Sequence, residues 1–233
     1  MKTPLLITYL AISLTSCLSA QSVKRDQTFA GISALDVSAG ISVYLTQGNT
    51  ESVRIEAKGL EEDEIISEQR GNKLVLSIRR ENGWKGILGG KNSVKAYVTV
   101  KNLTNIDVSS GAELEGETNL VVNDLALHTS SGADVELDVK ANRLTVSVSS
   151  GADVTLRGSA GKLTASSSSG ADLNADKLIA DICYADASGG GDARVYGQKE
   201  LYLRASGGGD VTYRGPGQLV SRKTSGGGDI NRD

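Results

Sequence analysis

Cysteine is scarce. Apart from Cys17, in an apolar N-terminal segment, the chain has only Cys183, so its mature form holds no pair for an intramolecular disulfide. Stability must come from packing, and Cys183, flanked by alternating residues in Asp181-Ile182-Cys183-Tyr184, reads as a small buried hydrophobe. Aromatics are scarce too. One Trp, one Phe and seven Tyr cannot fill a core with large rings, which leaves Val, Leu, Ile and Ala in thin, regular layers. A single histidine, His128, lies on the polar side of a strand pattern and supplies no His/Cys set for zinc. There is no nucleophile elbow. The glycine runs lead into strands without the Lys or helix start that phosphate cradling uses. Proline numbers two, but glycine numbers 28 of 233, roughly 12% against a typical value of about 7%. With 39% hydrophobic and 23% charged residues, the composition is globular and excludes both disorder and collagen.

The N-terminus reads as a targeting segment over residues 1–20. Lys2 precedes the apolar run Leu5 to Thr15, which is too short to span a bilayer. Two cleavage readings stay open. Leu14-Thr15-Ser16-Cys17 resembles a lipobox and would make Cys17 a lipidated first residue, whereas Leu18-Ser19-Ala20 resembles an ordinary signal-peptidase site. Either way the expected location is the bacterial periplasm or the outer membrane and cell surface, with membrane contact only through the lipid anchor. Charge is mildly uneven: 12 Lys and Arg against 11 Asp and Glu from residue 23 to 108, then 12 against 17 from residue 109 to the end. No cationic stripe with stacking aromatics appears, which argues against nucleic acid.

The main signal is a repeat. Ser-Ser-Gly-Ala-Glu ends at Glu113, Ser-Ser-Gly-Ala-Asp (Ser-Ser-Gly-Ala-Asp again at each copy) ends at Asp134, Asp153 and Asp172, and Ser-Gly-Gly-Gly-Asp ends at Asp192, Asp210 and Asp229. The acidic residues lie 21, 19, 19, 20, 18 and 19 positions apart, a near-constant period that predicts a solenoid. Within a unit the alternation has period two: Leu144, Val146, Val148, Ala152, Val154 and Leu156 inward, and Thr145, Ser147, Asp153 and Thr155 outward. That excludes helical repeats, and the leucine-rich ladder is absent. The predicted fold is an all-β β-helix with two strands per coil of about 19 residues, stacked at about 4.8 Å and right-handed by the general crossover preference. Seven coils make a rod of roughly 34 Å. Residues 109–233 are assigned to the repeats and residues 21–108 to a less regular β region that caps them. Inside the latter, Glu81 to Ser93 is a glycine-rich connection carrying Trp84, Ile87 and Leu88, read either as a hairpin over the cap or as a contact for a partner.

The opening Phe29-x-Gly31-Ile32, the run Val37-x-x-Gly40-Ile41-x-Val43-x-Leu45 and the serial Ser-Gly-Ala-Asp turns together resemble the bacterial family called putative auto-transporter adhesins with a head GIN domain. The resemblance covers nearly all of the mature chain. It implies a β-helix in the envelope and an adhesive role, and brings no catalytic residues. The Gly-Gly-Gly-Asp turns depart from the pattern and predict looser packing of the last three coils.

In register, Glu113, Asp134, Asp153, Asp172, Asp192, Asp210 and Asp229 form a ladder of carboxylates about 4.8 Å apart. Neighbouring charges at that spacing repel by about 0.9 kcal/mol in water and roughly 3.5 kcal/mol at an effective dielectric of 20. Two compensations stay open: hydrogen bonds from the N–H groups of each residue's own glycine turn, or calcium between the rungs. No other cofactor is expected. Although a similar spacing serves glycosidases, an acid and a base need different environments, and these rungs are near copies. The sequence therefore reads as a non-enzymatic envelope protein that binds a surface glycan or protein. The alternative is a periplasmic structural module that binds another envelope protein or pairs with itself through the last coil, where Ile230 would join copies and Arg232 and Asp233 would block them. A polysaccharide-acting enzyme is the least favoured reading.

Overall fold

The computed structural model describes residues 22–79 and 92–233. The N-terminal part contains β1 (Ser22–Thr28), β2 (Ala34–Val37), β3 (Ser42–Gln47), β4 (Ser52–Lys58), a 3-10 turn (Glu62–Glu64), β5 (Ile65–Arg70), β6 (Lys73–Ile78) and β7 (Ser93–Val100). Then come β8 (Asn105–Ser109), β9 (Glu113–Gly116), β10 (Leu120–Ser130), β11 (Asp134–Ser149), β12 (Asp153–Ser168), β13 (Asp172–Ser188) and β14 (Asp192–Ser206). The last strands are β15 (Val211–Arg214), β16 (Gln218–Ser225) and β17 (Ile230–Arg232).

The repeats form a β-solenoid, as the period predicts. Strands β11 to β14 are 16, 16, 17 and 15 residues long, and each runs from one glycine turn to the next. Two separate strands per coil were expected, but the parallel ladder continues around the bend, as in Val139↔Gly158 and Ala141↔Ala160. A bend that keeps its hydrogen bonds leaves fewer backbone groups without partners. The corner shows in the burial pattern, where Asn142 and Arg143 are exposed in succession and break the alternation. Facing this bend, Gly158 has φ +110, and a Cβ there would lie 2.2 Å from the Val139 carbonyl oxygen.

Each coil closes on two successive residues with positive φ, such as Ser131 (59°) and Gly132 (66°), the pattern of a type I′ turn. The pattern occurs earlier than the pentapeptide repeat, at Ala39 (65°) and Gly40 (77°). There β2 pairs in parallel with β8, and β3 pairs with β9, so residues 34–47 make a coil that lies directly on residues 105–116. Coil geometry thus begins inside the region expected only to cap the solenoid. The intervening β4 and β7 extend one face antiparallel to each other, with β1 antiparallel to β4. On the other face β5 pairs antiparallel with β6. Side chains of β1 reach across to β5: Arg25 Nη2 donates to the Ile65 carbonyl (3.3 Å) and Gln27 Nε2 to the Ser67 carbonyl (3.4 Å). These contacts, with Val23 and Phe29 packed on the core, close the N-terminal end.

The interior consists of aliphatic columns. Leu144, Val146, Val148, Ala152, Val154 and Leu156 are all buried, as the alternation requires. One column, just before the turns, reads Val37, Val108, Thr129, Val148, Ser167, Ala187 and Ala205 from coil to coil. Two of these seven residues are polar, and the column runs on from Ala205 to the exposed Thr224 of the last coil.

Candidate functional site

Register places the acidic residues in the predicted ladder: Glu113 pairs with Asp134, Asp134 with Asp153, Asp153 with Asp172, and Asp172 with Asp192. Asp210 and Asp229 precede the paired Val211 and Ile230 and continue the row. The rungs are not equivalent. The Asp210 N–H donates to Asp192 Oδ1 (3.2 Å) and the Asp229 N–H to Asp210 Oδ1 (2.9 Å). Each of these carboxylates is therefore satisfied by the next rung's backbone and not by its own turn, which corrects the expected local arrangement. In the earlier coils that N–H is already used, since the Asp153 N–H donates to the Ala133 carbonyl at 3.0 Å. Asp134, Asp153 and Asp172 are exposed. Among the described residues no group of three or more His, Cys, Asp or Glu side chains is disposed to hold a metal ion, so the calcium reading gains no ligand set there.

Glu113, Glu115, Asp134, Glu136 and Asp153 line a shallow groove of about 290 Å³ together with Thr155. Some of its charge is neutralised: Arg157 forms an ion pair with Glu136, and Ser42 Oγ donates to Glu113 Oε2 (3.0 Å).

Beyond this groove the same outward face carries a stack that the sequence reading missed. Tyr44 on β3 lies opposite both Tyr97 on β7 and Glu115 on β9, and Tyr97 lies opposite Arg54 on β4, which in turn faces Asp26 on β1. The two rings stack with centroids 5.2 Å apart at 19°. The Arg54 guanidinium lies 4.8 Å from the Tyr97 ring centre, and Lys95 Nζ lies 5.5 Å from that of Tyr44. A hydrogen bond with Tyr44, followed by the charges of nearby groups, raises the Lys95 ammonium above its usual range. On the far side of Tyr97 a second groove, of about 450 Å³, is lined by Asp26, Thr28, Ser52, Arg54 and Thr99. The alternation Lys95-x-Tyr97-x-Thr99 marks these residues as outward-facing in the sequence. Their meeting depends on pairings between strands that are far apart in the chain.

Elsewhere, Tyr184 and Tyr202 stack at 4.4 Å and 6°, with Lys162 Nζ 4.6 Å from the Tyr184 ring centre. His128 is exposed on a strand whose neighbours at that position are Asp107 and Ser147. Cys183 is buried, and burial pushes its thiol up to about 12, consistent with a packing residue. In the last coil Ile230 is buried; Arg222 Nη2 donates to its carbonyl (3.0 Å), Arg232 Nη2 to the Gly215 carbonyl (3.2 Å), and Asp233 pairs with Arg214. Cys17, Trp84, Ile87 and Leu88 lie outside the described residues.

A filled aliphatic solenoid with polar columns on its outer face defines the class. A family profile described as putative auto-transporter adhesin, head GIN domain, matches residues 31–217, and the chain belongs to that family. Among solved structures it is similar to a putative adhesin from Bacteroides fragilis, with 21% identity and a TM-score of 0.83 over 92% of this chain and 98% of that one. It is also similar to a putative lipid binding protein from Parabacteroides distasonis (15%, TM-score 0.68, 91% and 96% covered) and to a putative adhesin from Parabacteroides merdae (14%, 0.66, 91% and 96%). At these identities the likeness is one of fold. No curated protein matches the chain.

Proposed function

We propose that the protein is a non-enzymatic interaction protein of the bacterial envelope, which contacts a surface glycan or protein through its outward strand face. Family membership and the adhesin-named neighbours support an adhesin-like role. The observation that carries the reading is the continuity of that face. From β1 through β4, β7, β3 and β9 to β11, β12, β13, β14, β15 and β17, outward residues stand in register across one surface, while aliphatic side chains fill the interior. A rigid surface of this kind presents side chains without having to order them on binding, which lowers the entropic cost of association. Nonspecific protease added to intact cells is expected to degrade the protein while a periplasmic control survives. Survival of the protein until the outer membrane is opened would sink the surface-contact reading.

A further inference from the structure

We propose that the groove beside Tyr97, framed by Asp26, Arg54, Thr28, Ser52 and Thr99, is the binding site for a neutral oligosaccharide. The inference rests on the envelope-contact reading above and gives that contact a place and a ligand chemistry.

The Arg54 guanidinium lies against the Tyr97 ring, and Arg54 makes no hydrogen bond or ion pair with any described residue. By contrast Arg70, Arg143, Arg157, Arg204 and Arg214 all pair with carboxylates. Arg54 is thus held by stacking while its donors remain free, a preorganised arrangement for accepting oxygen atoms. Asp26, directly across the strand pair on β1, supplies the complementary acceptor. The hydroxyls of Thr28, Ser52 and Thr99 both donate and accept. A ligand that uses all of these must itself donate and accept at short intervals, as the hydroxyl groups of a sugar do.

Charge narrows the choice. An anionic ligand would meet the carboxylate of Asp26 and a cationic ligand would meet Arg54; one column away Glu56 is paired with Lys24 (3.5 Å) and stands opposite Lys95. Along β4 and β7 a peptide strand would find no free backbone, because β4 is paired with β1 and β7, and β7 with β4 and β3. The volume of about 450 Å³ falls within the range of small-ligand sites. One face of the Tyr97 ring is covered by Tyr44 and the other by Arg54, so the ring offers its edge and hydroxyl, and recognition relies on polar contacts.

Fluorescence anisotropy of the purified full chain with labelled neutral hexasaccharides of glucose, mannose and galactose, and with a polygalacturonate hexamer as the acidic probe, tests this. Saturable binding of at least one neutral hexasaccharide is expected. Arg54→Gln, Asp26→Asn and Tyr97→Leu should each weaken it by about tenfold, the cost of losing one charge-assisted hydrogen bond or its support. Arg204→Gln, on the other broad face, should leave it unchanged. Tighter binding of the acidic hexamer, indifference to all three groove substitutions, or no neutral binding would each overturn the proposal. The same proteins applied to intact cells separate the two levels: saturable attachment that survives Arg54→Gln removes this site and leaves the envelope-contact reading standing, whereas no attachment of the parent protein removes both.

Discussion

The coils that close on Ser-Ser-Gly-Ala-Asp and those that close on Ser-Gly-Gly-Gly-Asp share a period and a turn type, yet they pack differently. In the first set the alanine points inward and is enclosed, as at Ala133, Ala152 and Ala171. The cost falls on the serine before the glycine, held near φ +58 at Ser131, Ser150 and Ser169, a conformation that costs an L-residue about 1 kcal/mol. In the second set glycine takes the strained position, and a further glycine replaces the alanine. A Cβ on Gly209 would lie 2.6 Å from the Ser188 nitrogen and 2.7 Å from the Gly191 oxygen. Backbones there approach so closely that no side chain fits. The expectation of looser final coils is therefore reversed at the turns. The core column before the turn does not divide in the same way: Thr129, Val148 and Ser167 precede the turns of the first set, and Ala187, Ala205 and Thr224 those of the second, so the interior is narrow at Ala187 and Ala205 without following the turn sequence.

The sharpest way to break this comparison is to put a methyl group where the second set has none. Gly209→Ala is expected to destabilise by about 3 kcal/mol, since its clash is with backbone that cannot swing away. Gly132→Ala, at φ +66 with nothing within 4 Å, should cost about 1 kcal/mol from backbone strain alone. Urea unfolding of the two variants side by side reads the difference; equal losses would mean that close approach is not what separates the turns.

Exchanging the core residues comes next. Val148→Ala leaves a void and Ala187→Val overfills a narrowed corner, each with an expected loss of about 2 kcal/mol. A stabilising Ala187→Val, measured by thermal melting, would show that the later coils have room to spare.

Within the same column the two buried polar residues should respond with opposite signs. Thr129 Oγ1 is buried without a hydrogen-bond partner among the described residues, whereas Ser167 Oγ donates to the Ala171 carbonyl across the turn at 2.6 Å. Thr129→Val should gain about 1 kcal/mol and Ser167→Ala should lose about 1 kcal/mol. A loss in both would indicate that Thr129 has an internal partner.

The smallest contrast concerns the carboxylates. Asp210→Ala removes the acceptor for the Asp229 N–H and is expected to lower stability modestly, by about 0.5–1 kcal/mol. Asp153→Asn thins a row of like charges and should be neutral or slightly stabilising in low salt, with the gain fading as ionic strength rises. Salt-independent destabilisation by Asp153→Asn would contradict the view that this rung is a solvated surface charge.

Much of this architecture was legible in the sequence because its causes are local. The inward set from Leu144 to Leu156 follows from period-two alternation, and the corners follow from glycine at positions that need positive φ. The carboxylate row was legible for the same reason, since equal spacing puts equivalent residues in register. The hydrogen-bonding of Asp192 and Asp210 was not, because it depends on whether the next rung's N–H is already taken by an alanine carbonyl. The Tyr44–Tyr97 stack and the groove next to it were also hidden. They require β4 and β7 to enter antiparallel beside β3, pairings that no spacing announces.

By itself, then, the sequence determined the solenoid: its period, its aliphatic interior and its acidic outer row, because strand alternation and turn conformation are set by residues a few positions apart. Only the tertiary structure decided that residues 34–47 form a coil lying on residues 105–116, and that Arg54, Tyr97 and Asp26 share one groove. These contacts join segments separated by long stretches of chain, and their partners are chosen by the burial of a whole sheet face, not by any local preference of the backbone.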